Sequence, residues 1–297
     1  MLSAAGTESI LLAGASAAGA RLRDAVERVA RTPGTTVLIE CEPGLEPGLA
    51  ARWVHQRSEA QGPWVEVDGR VPDAEASATV SEQLEAAPGG SLFLPYIESL
   101  SAAEQARLAD ALRRRTESGL AGRGARLIAW SPCDLEEEAA DGKLLPDLLY
   151  RLNVLSLRVP PLRERRDDVP ALAAVLLGQL ARLSGKDAVP ELDEDGLATL
   201  AKHSWPGNLL EMQSVLSLAL LRAKDGRITA SDLAGSLLVS DPGWIPAVPG
   251  LRTLREVEEV MIRRALEDSA GNRSRAARTL GIHRQTLYNK LRDYGID

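Results

Sequence analysis

Cysteine, histidine and aromatic side chains are all scarce in this chain, and each shortage removes a class of function. Two cysteines, Cys41 and Cys133, cannot form a disulfide framework and suit a reducing cytoplasm. Read alone, they are two unrelated buried thiols. Of three histidines, His55 and His203 stand without a second ligand or triad partner, so neither a metal site nor a catalytic role is assigned to them. The opening residues, MLSAAGTESILLAGASAAGARLRDA, lack a basic leader followed by a continuous apolar core. No apolar run is long enough to span a bilayer, so a soluble, cytoplasmic protein without a membrane partner is expected. There is no internal repeat. A net charge of −7 argues against a chain that coats nucleic acid along its whole surface.

That charge is unevenly placed. Between Gly271 and Arg292 stand six basic residues (Arg273, Arg275, Arg278, Arg284, Lys290, Arg292) and no acidic one, leaving −13 for everything else. An acidic body with one basic end is the asymmetry expected of a regulator that touches DNA through a single module. In the body, segments 35–40, 64–67, 91–94, 126–130 and 154–159 are short runs of β-forming residues. Helical patterns at 18–31, 48–60 and 101–118 separate several of them, which predicts an α/β fold with a parallel sheet covered on both faces. After the last strand the pattern turns fully helical, at 168–183, 193–203, 207–224 and 230–238. The division follows: an α/β core at 1–166, a helical lid at 167–238, a linker with three prolines and two glycines at 239–250, and a small all-α domain at 251–297.

The terminal run GNRSRAARTLGIHRQTLYNKLRDYGID has the logic of a helix-turn-helix. A preceding helix at 252–268 carries the apolar stripe Leu254, Val257, Met261, Ala265 and Leu266. Ala276 and Ala277 allow two helices to cross closely, Gly281 permits the turn, and Leu280, Ile282, Leu287 and Leu291 supply a miniature core. Arg284, Gln285, Tyr288, Asn289 and Arg292 then face outward at helical spacing. Arg, Gln and Asn can bond base edges in pairs, while Asn272 and Ser274 offer short donors to phosphate. These residues closely resemble the Fis-type helix-turn-helix. The resemblance implies dimerisation through the helix before the motif and binding to inverted-repeat sites in double-stranded DNA. By it, His283, Arg284, Thr286, Tyr288 and Asn289 occupy recognition-helix positions, with Gln285 and Lys290 beside them.

Further strings, RLNV (151–154), PPLRERRDDVP (160–170) and WPGN (205–208), resemble the AAA+ domain of the sigma-54-dependent activators, over about residues 10–238. TVLIECEPGLEPGLAARWVH (36–55) stands where that family has its phosphate-binding loop. Such a loop needs glycines, a Lys and a hydroxyl. Here it reads Cys41-Glu42-Pro43-Gly44-Leu45-Glu46-Pro47-Gly48, with Pro47 at the Lys position and Glu46 adding a carboxylate beside the phosphates. The acidic pair that would hold Mg²⁺ is replaced by Pro95-Tyr96, and the sensing Asn aligns with Pro132. One expected arginine is Leu145, although Arg151 remains, and the lid arginine aligns with Leu210. No GAFTGA-like remodelling loop stands between Asp68 and Gly90. Tyr96 and Trp130, at the ends of the third and fourth strands, are read either as rings plugging the old nucleotide pocket or as simple edge packing. The charged run Arg163–Asp168 is read as surface salt bridges.

The expectation is a sequence-specific DNA-binding regulator, at least dimeric, whose AAA+-like domain binds no ATP, needs no cofactor and works apart from sigma-54. Two rivals stay open. One is a residual ATPase with an unorthodox pocket. The other is a decoy subunit that joins related AAA+ regulators through Arg151 and the RLNV segment and inhibits them. No receiver or ligand-sensing domain is read before the core.

Overall fold

The structure is a computed structural model that describes residues 13–58, 62–72, 75, 78–117, 124–185, 188–223 and 226–240. Beyond 240 it describes Ile262, Arg263, Leu266, Arg273, Leu287, Lys290, Leu291 and Tyr294. The chain divides into two compact units, Met1–Leu238 and Val239–Asp297.

The first unit is built on a parallel sheet of β1 (Val37–Glu40), β2 (Trp64–Glu66), β3 (Ser91–Pro95), β4 (Arg126–Trp130) and β5 (Leu155–Arg158), in the order β2-β3-β4-β1-β5. Register is continuous across the middle: Val37 and Ile39 of β1 face Ile128 and Trp130 of β4, and Leu92 and Leu94 of β3 face Leu127 and Ala129. Both faces of these strands are buried. Val37, Ile39, Phe93, Ile128 and Trp130 enter one apolar cluster with α1 (Ala17–Ala30) and α2 (Pro47–Arg57). Leu38, Leu92, Leu94, Leu127 and Ala129 enter the other, with α3 (Val80–Glu85), α4 (Ala102–Glu117), α5 (Leu135–Ala140) and α6 (Pro146–Leu152). Successive side chains point to opposite faces, so a strand covered on both sides reads as an unbroken apolar run.

Local signals set the helix starts. Ser16 caps α1 by accepting from the Gly19 amide, and Leu22, Val26 and Val29 bury one stripe of it. Thr79 and Glu82 form a capping box on α3, and Asp134 caps α5. The helices α3, α5 and α6 are six or seven residues long and were absent from the pattern-based expectation, since so short a segment carries no resolvable period.

The lid packs α7 (Val169–Leu183), α8 (Glu194–Lys202), α9 (Asn208–Arg222) and α10 (Ala230–Ser240) onto the first cluster. It is not wholly helical, as the sequence pattern had indicated: β6 (Glu191–Leu192) pairs in parallel with β7 (Arg227–Ile228). The expected surface run at 163–168 also needs correction. Arg165 and Asp168 are 1% and 0% exposed, paired at 3.0 Å. Asp168 further accepts from the Ser16 amide at 2.7 Å and the Ser16 hydroxyl at 2.6 Å. This buried pair ties the start of α1 to the start of the lid.

In the second unit, every described residue is helical, and Ile262, Leu266, Leu287 and Leu291 are buried. Leu287 and Leu291 therefore lie inward, as their spacing implied, and Ile262 joins the inward set.

Candidate functional site: a closed loop at the carboxyl edge of the sheet

From the end of β1 the chain turns through Cys41–Glu46 and enters α2 with Pro47 in its first turn. The turn is built to close. Gly44 has φ +84, and a Cβ there would stand 2.2 Å from the Gly207 carbonyl oxygen, so only glycine fits. Its carbonyl accepts from the Leu210 amide at 3.0 Å. The Leu45 amide goes to the Glu42 carbonyl at 3.3 Å, the Leu49 amide to the Glu46 carbonyl at 2.9 Å, and Pro43 and Pro47 have no amide hydrogen. The Leu45 amide is thus spent on the chain itself, and positions 43 and 47 offer a phosphate no amide donor.

Asn208, buried and held at φ 51, is the clasp. Its Nδ2 donates to the Pro43 carbonyl at 3.1 Å and to Glu42 at 3.3 Å, while its Oδ1 accepts from the Leu162 amide at 3.1 Å. Both guanidinium ends of Arg163 reach the Glu42 carboxylate, one at 2.6 Å. The hydrogen bonds from Arg163 hold the Glu42 carboxyl below the usual carboxylate range. Glu46 does the opposite: burial pushes its carboxyl upward, and its φ of 48 puts a residue with a side chain into a region that favours glycine.

Around this loop, Pro95 closes β3 opposite Trp130, and Tyr96 leaves the strand with φ 59. The Tyr96 and Trp130 rings meet edge to face at 5.1 Å. Arg70, paired with Asp68, lies over the Tyr96 ring, 3.8 Å from its centroid. Both rings pack on the apolar cluster that also holds Leu45 and Leu49. Pro132, Ser131, Cys41 and Cys133 line a cavity of about 440 Å³ at the ends of β1 and β4, whose charged lining residues, Glu40, Asp134 and Glu136, are all acidic. Cys133 is exposed rather than buried, and both cysteines are free. Burial pushes the Cys41 thiol up to about 12, with the Trp130 indole beside it pulling the other way.

Arg151 is held by Asp147, one turn earlier on α6, at 3.1 Å, and Leu210 is exposed on α9. His203, which the sequence left without a partner, has one: Nε2 lies 2.6 Å from Glu211, which also accepts from the Gly207 amide at 2.7 Å. Together these contacts set the WPGN turn against the loop. Among the described residues no group of three or more His, Cys, Asp or Glu is placed to hold a metal ion. The loop Cys41–Gly48 offers no lysine and no hydroxyl side chain to the phosphates or Mg²⁺ of a nucleoside triphosphate.

Of the DNA-facing residues read from the sequence, Lys290 is helical and half-buried, with its ammonium 5.9 Å from the Tyr294 ring. Asn272, Ser274, His283, Arg284, Gln285, Thr286, Tyr288 and Asn289 lie outside the described residues.

A parallel sheet in this strand order, with a helical lid clasped to the loop after β1, is the architecture of the AAA+ regulators. Residues 13–162 match the sigma-54 interaction domain, 163–245 the AAA+ ATPase lid domain, and 253–294 the bacterial regulatory proteins of the Fis family. The chain belongs to the sigma-54 interaction domain family and carries that family's lid and a Fis-type helix-turn-helix. It is 33% identical to the regulatory protein AtoC of Escherichia coli (strain K12), over 88% of this chain and 63% of AtoC. It is 32% identical to the transcriptional regulator NtrC of Bradyrhizobium sp. (strain RP501 Parasponia), over 97% of this chain and 70% of NtrC. The crystal structure of NtrX from Brucella abortus in complex with ATP superposes with a TM-score of 0.63 at 27% identity, covering 95% of this chain and 68% of that one. The chain thus spans 48% to 70% of the curated relatives it matches. No helix among the described residues is long and apolar enough to cross a membrane.

Proposed function

We propose that this chain is a sequence-specific DNA-binding transcription regulator whose AAA+ domain neither binds nor hydrolyses ATP and acts without remodelling sigma-54. The observation that carries the first half is the closed loop. Glu42, Pro43 and Gly44 are bonded to the lid through Asn208, Arg163 and Leu210, and Glu46 and Pro47 stand where a phosphate would need glycine and lysine. A polyphosphate entering there would meet a poorly solvated carboxylate and lose to the bonds already made. The absence of a remodelling motif between Asp68 and Gly90 supports independence from sigma-54.

DNA contact falls to the Fis-type end, as a dimer on inverted half-sites in the cytoplasm, with the domain before it serving as a scaffold for self-association. Titration with a fluorescent ATP analogue and a phosphate-release assay test the scaffold: no saturable binding and no turnover are expected. Micromolar binding with turnover defeats the reading. Selection of bound sequences from genomic DNA, followed by the Arg284→Ala/Asn289→Ala variant, tests the other half. Loss of specific binding with an unchanged fold is expected, and unchanged operator binding defeats the assignment. The decoy reading rests on Arg151, which its own Asp147 already engages.

A further inference from the structure

We infer that the first unit carries an anion site at the amino edge of its sheet, opposite the closed loop, which takes a phosphate dianion or the phosphate end of a small ester. The site is a cavity of about 500 Å³, a size typical of small-molecule sites. Its wall is made by the carbonyl ends of α1 and α2, the turn before β3 and the start of β4. Three arginines line it, Arg31, Arg57 and Arg126, against one acid, Glu27. Glu27 is taken up at 3.4 Å by Arg57, so two positive charges stand in excess.

Arg126 distinguishes the cavity from a solvated basic patch. Arg31 and Arg57 also complement the carbonyl ends of their helices, an ordinary arrangement. Arg126 is 3% exposed. Its Nη2 donates to the Ala30 carbonyl at 3.3 Å and to the Thr32 carbonyl. Its Nε and Nη1 are buried and have no hydrogen-bond partner. A guanidinium is charged at any physiological pH and offers a planar fork, and leaving two of its N–H groups buried and unpaired is strongly unfavourable. No carboxylate among the described residues pairs with it. An anion in the cavity meets this uncompensated charge in place, and a turn of the guanidinium brings Nε and Nη1, which are closed off from solvent, to its oxygens. Burial and the Arg126 charge together hold the His55 imidazole below its usual range, which reports the positive field on that side.

Glycines leave part of the wall bare. A Cβ at Gly90 would stand 2.1 Å from the Pro63 carbonyl oxygen, so that position is closed to other residues. Gly34, Gly89 and Gly124 also line the space, as do Ser58, whose hydroxyl donates to the His55 carbonyl at 2.7 Å, and Ser91, whose hydroxyl lies 3.0 Å from His55 Nδ1. Two excess charges match a dianion, and the volume exceeds that of phosphate alone, so an esterified phosphate fits as well as the free ion. Such a ligand would give the regulator a chemical input that does not use the closed loop.

The test uses the full chain at pH 8 and constant ionic strength, titrated calorimetrically with sodium phosphate and, separately, with glucose 6-phosphate. Saturation by both assigns the site to the phosphate group itself. Saturation by the ester alone assigns it to an esterified ligand. No saturation by either up to about 10 mM overturns the proposal. Arg31→Ala/Arg57→Ala changes only rim side chains and is expected to weaken binding by about tenfold or more, with unchanged melting in the absence of phosphate. Arg126→Gln is expected to abolish it. Binding that survives unchanged in the rim variant lies elsewhere, for instance on the basic carboxyl-terminal segment, and overturns the proposal even if Arg126→Gln does not fold.

Discussion

The two edges of one sheet have opposite character. At the carboxyl edge, where AAA+ proteins handle nucleotide, the cavity's charged lining is acidic and the loop's polar groups are bonded to the lid. At the amino edge, a cavity of similar size is lined by arginines, one of them buried with unpaired donors. The same strands, β1, β3 and β4, join the two. The difference lies in where each edge spends its polar groups. At the carboxyl edge Asn208, Arg163 and the Leu210 amide bond Glu42, Pro43 and Gly44, whereas at the amino edge two N–H groups of Arg126 have no partner.

The contrast can be strained most severely at the tie between α1 and the lid. Asp168→Ala leaves Arg165 as an uncompensated buried charge and is expected to cost about 3–5 kcal/mol, measured by urea unfolding. A cost below about 1 kcal/mol would mean that the pair is solvated after all. Asn208→Ala removes the clasp between loop and lid and leaves the Leu162 amide unpaired. A loss of about 2–4 kcal/mol is expected, with no gain of ATP binding, because Pro47 and Pro95-Tyr96 remain. Nucleotide binding by that variant would show that the clasp alone closes the site.

Smaller changes sharpen the picture. Glu46→Gly relieves both the positive φ and the buried carboxyl, and a gain of about 1 kcal/mol is expected. Because burial raises the Glu46 carboxyl, its penalty develops as pH rises from the usual carboxylate range through its folded value. The wild type should therefore lose stability relative to Glu46→Gly between acid and neutral pH. Glu42 has the opposite sign: its lowered carboxyl gives stability that is present above the usual range and lost as pH falls through the folded value. Both members of the Glu42–Arg163 pair are about two-fifths exposed, so Arg163→Ala should cost under about 1 kcal/mol. That is the smallest effect of the set, and guanidine-free thermal melts at several pH values would read it.

The sheet was legible in the sequence because burial on both faces turned β3 and β4 into apolar runs bounded by turns, while the partly covered β2 and β5 still read as short runs of β-formers. The carboxyl edge was legible as a set of departures, Pro47 for lysine and Pro95-Tyr96 for an acidic pair. Its closure was not, since the bonds from Asn208 and Arg163 join residues more than 100 positions apart. Arg165 and Asp168 read as a solvated run because short-range charge alternation looks the same buried or exposed. The amino-edge cavity left no trace for a similar reason. Its lining comes from four separate segments, and an arginine opening a strand resembles any solvated strand end.

The half-buried thiol at the end of β1 has a use of its own. A Cys41 sulfhydryl pushed up to about 12 is almost wholly protonated at pH 8, with roughly a thousandfold less thiolate than free cysteine. Cys133 is exposed. A maleimide dye offered to the folded chain should therefore label Cys133 at once and Cys41 far more slowly, so the ratio of the two rates reads how firmly the fold keeps the Cys41 thiol protonated.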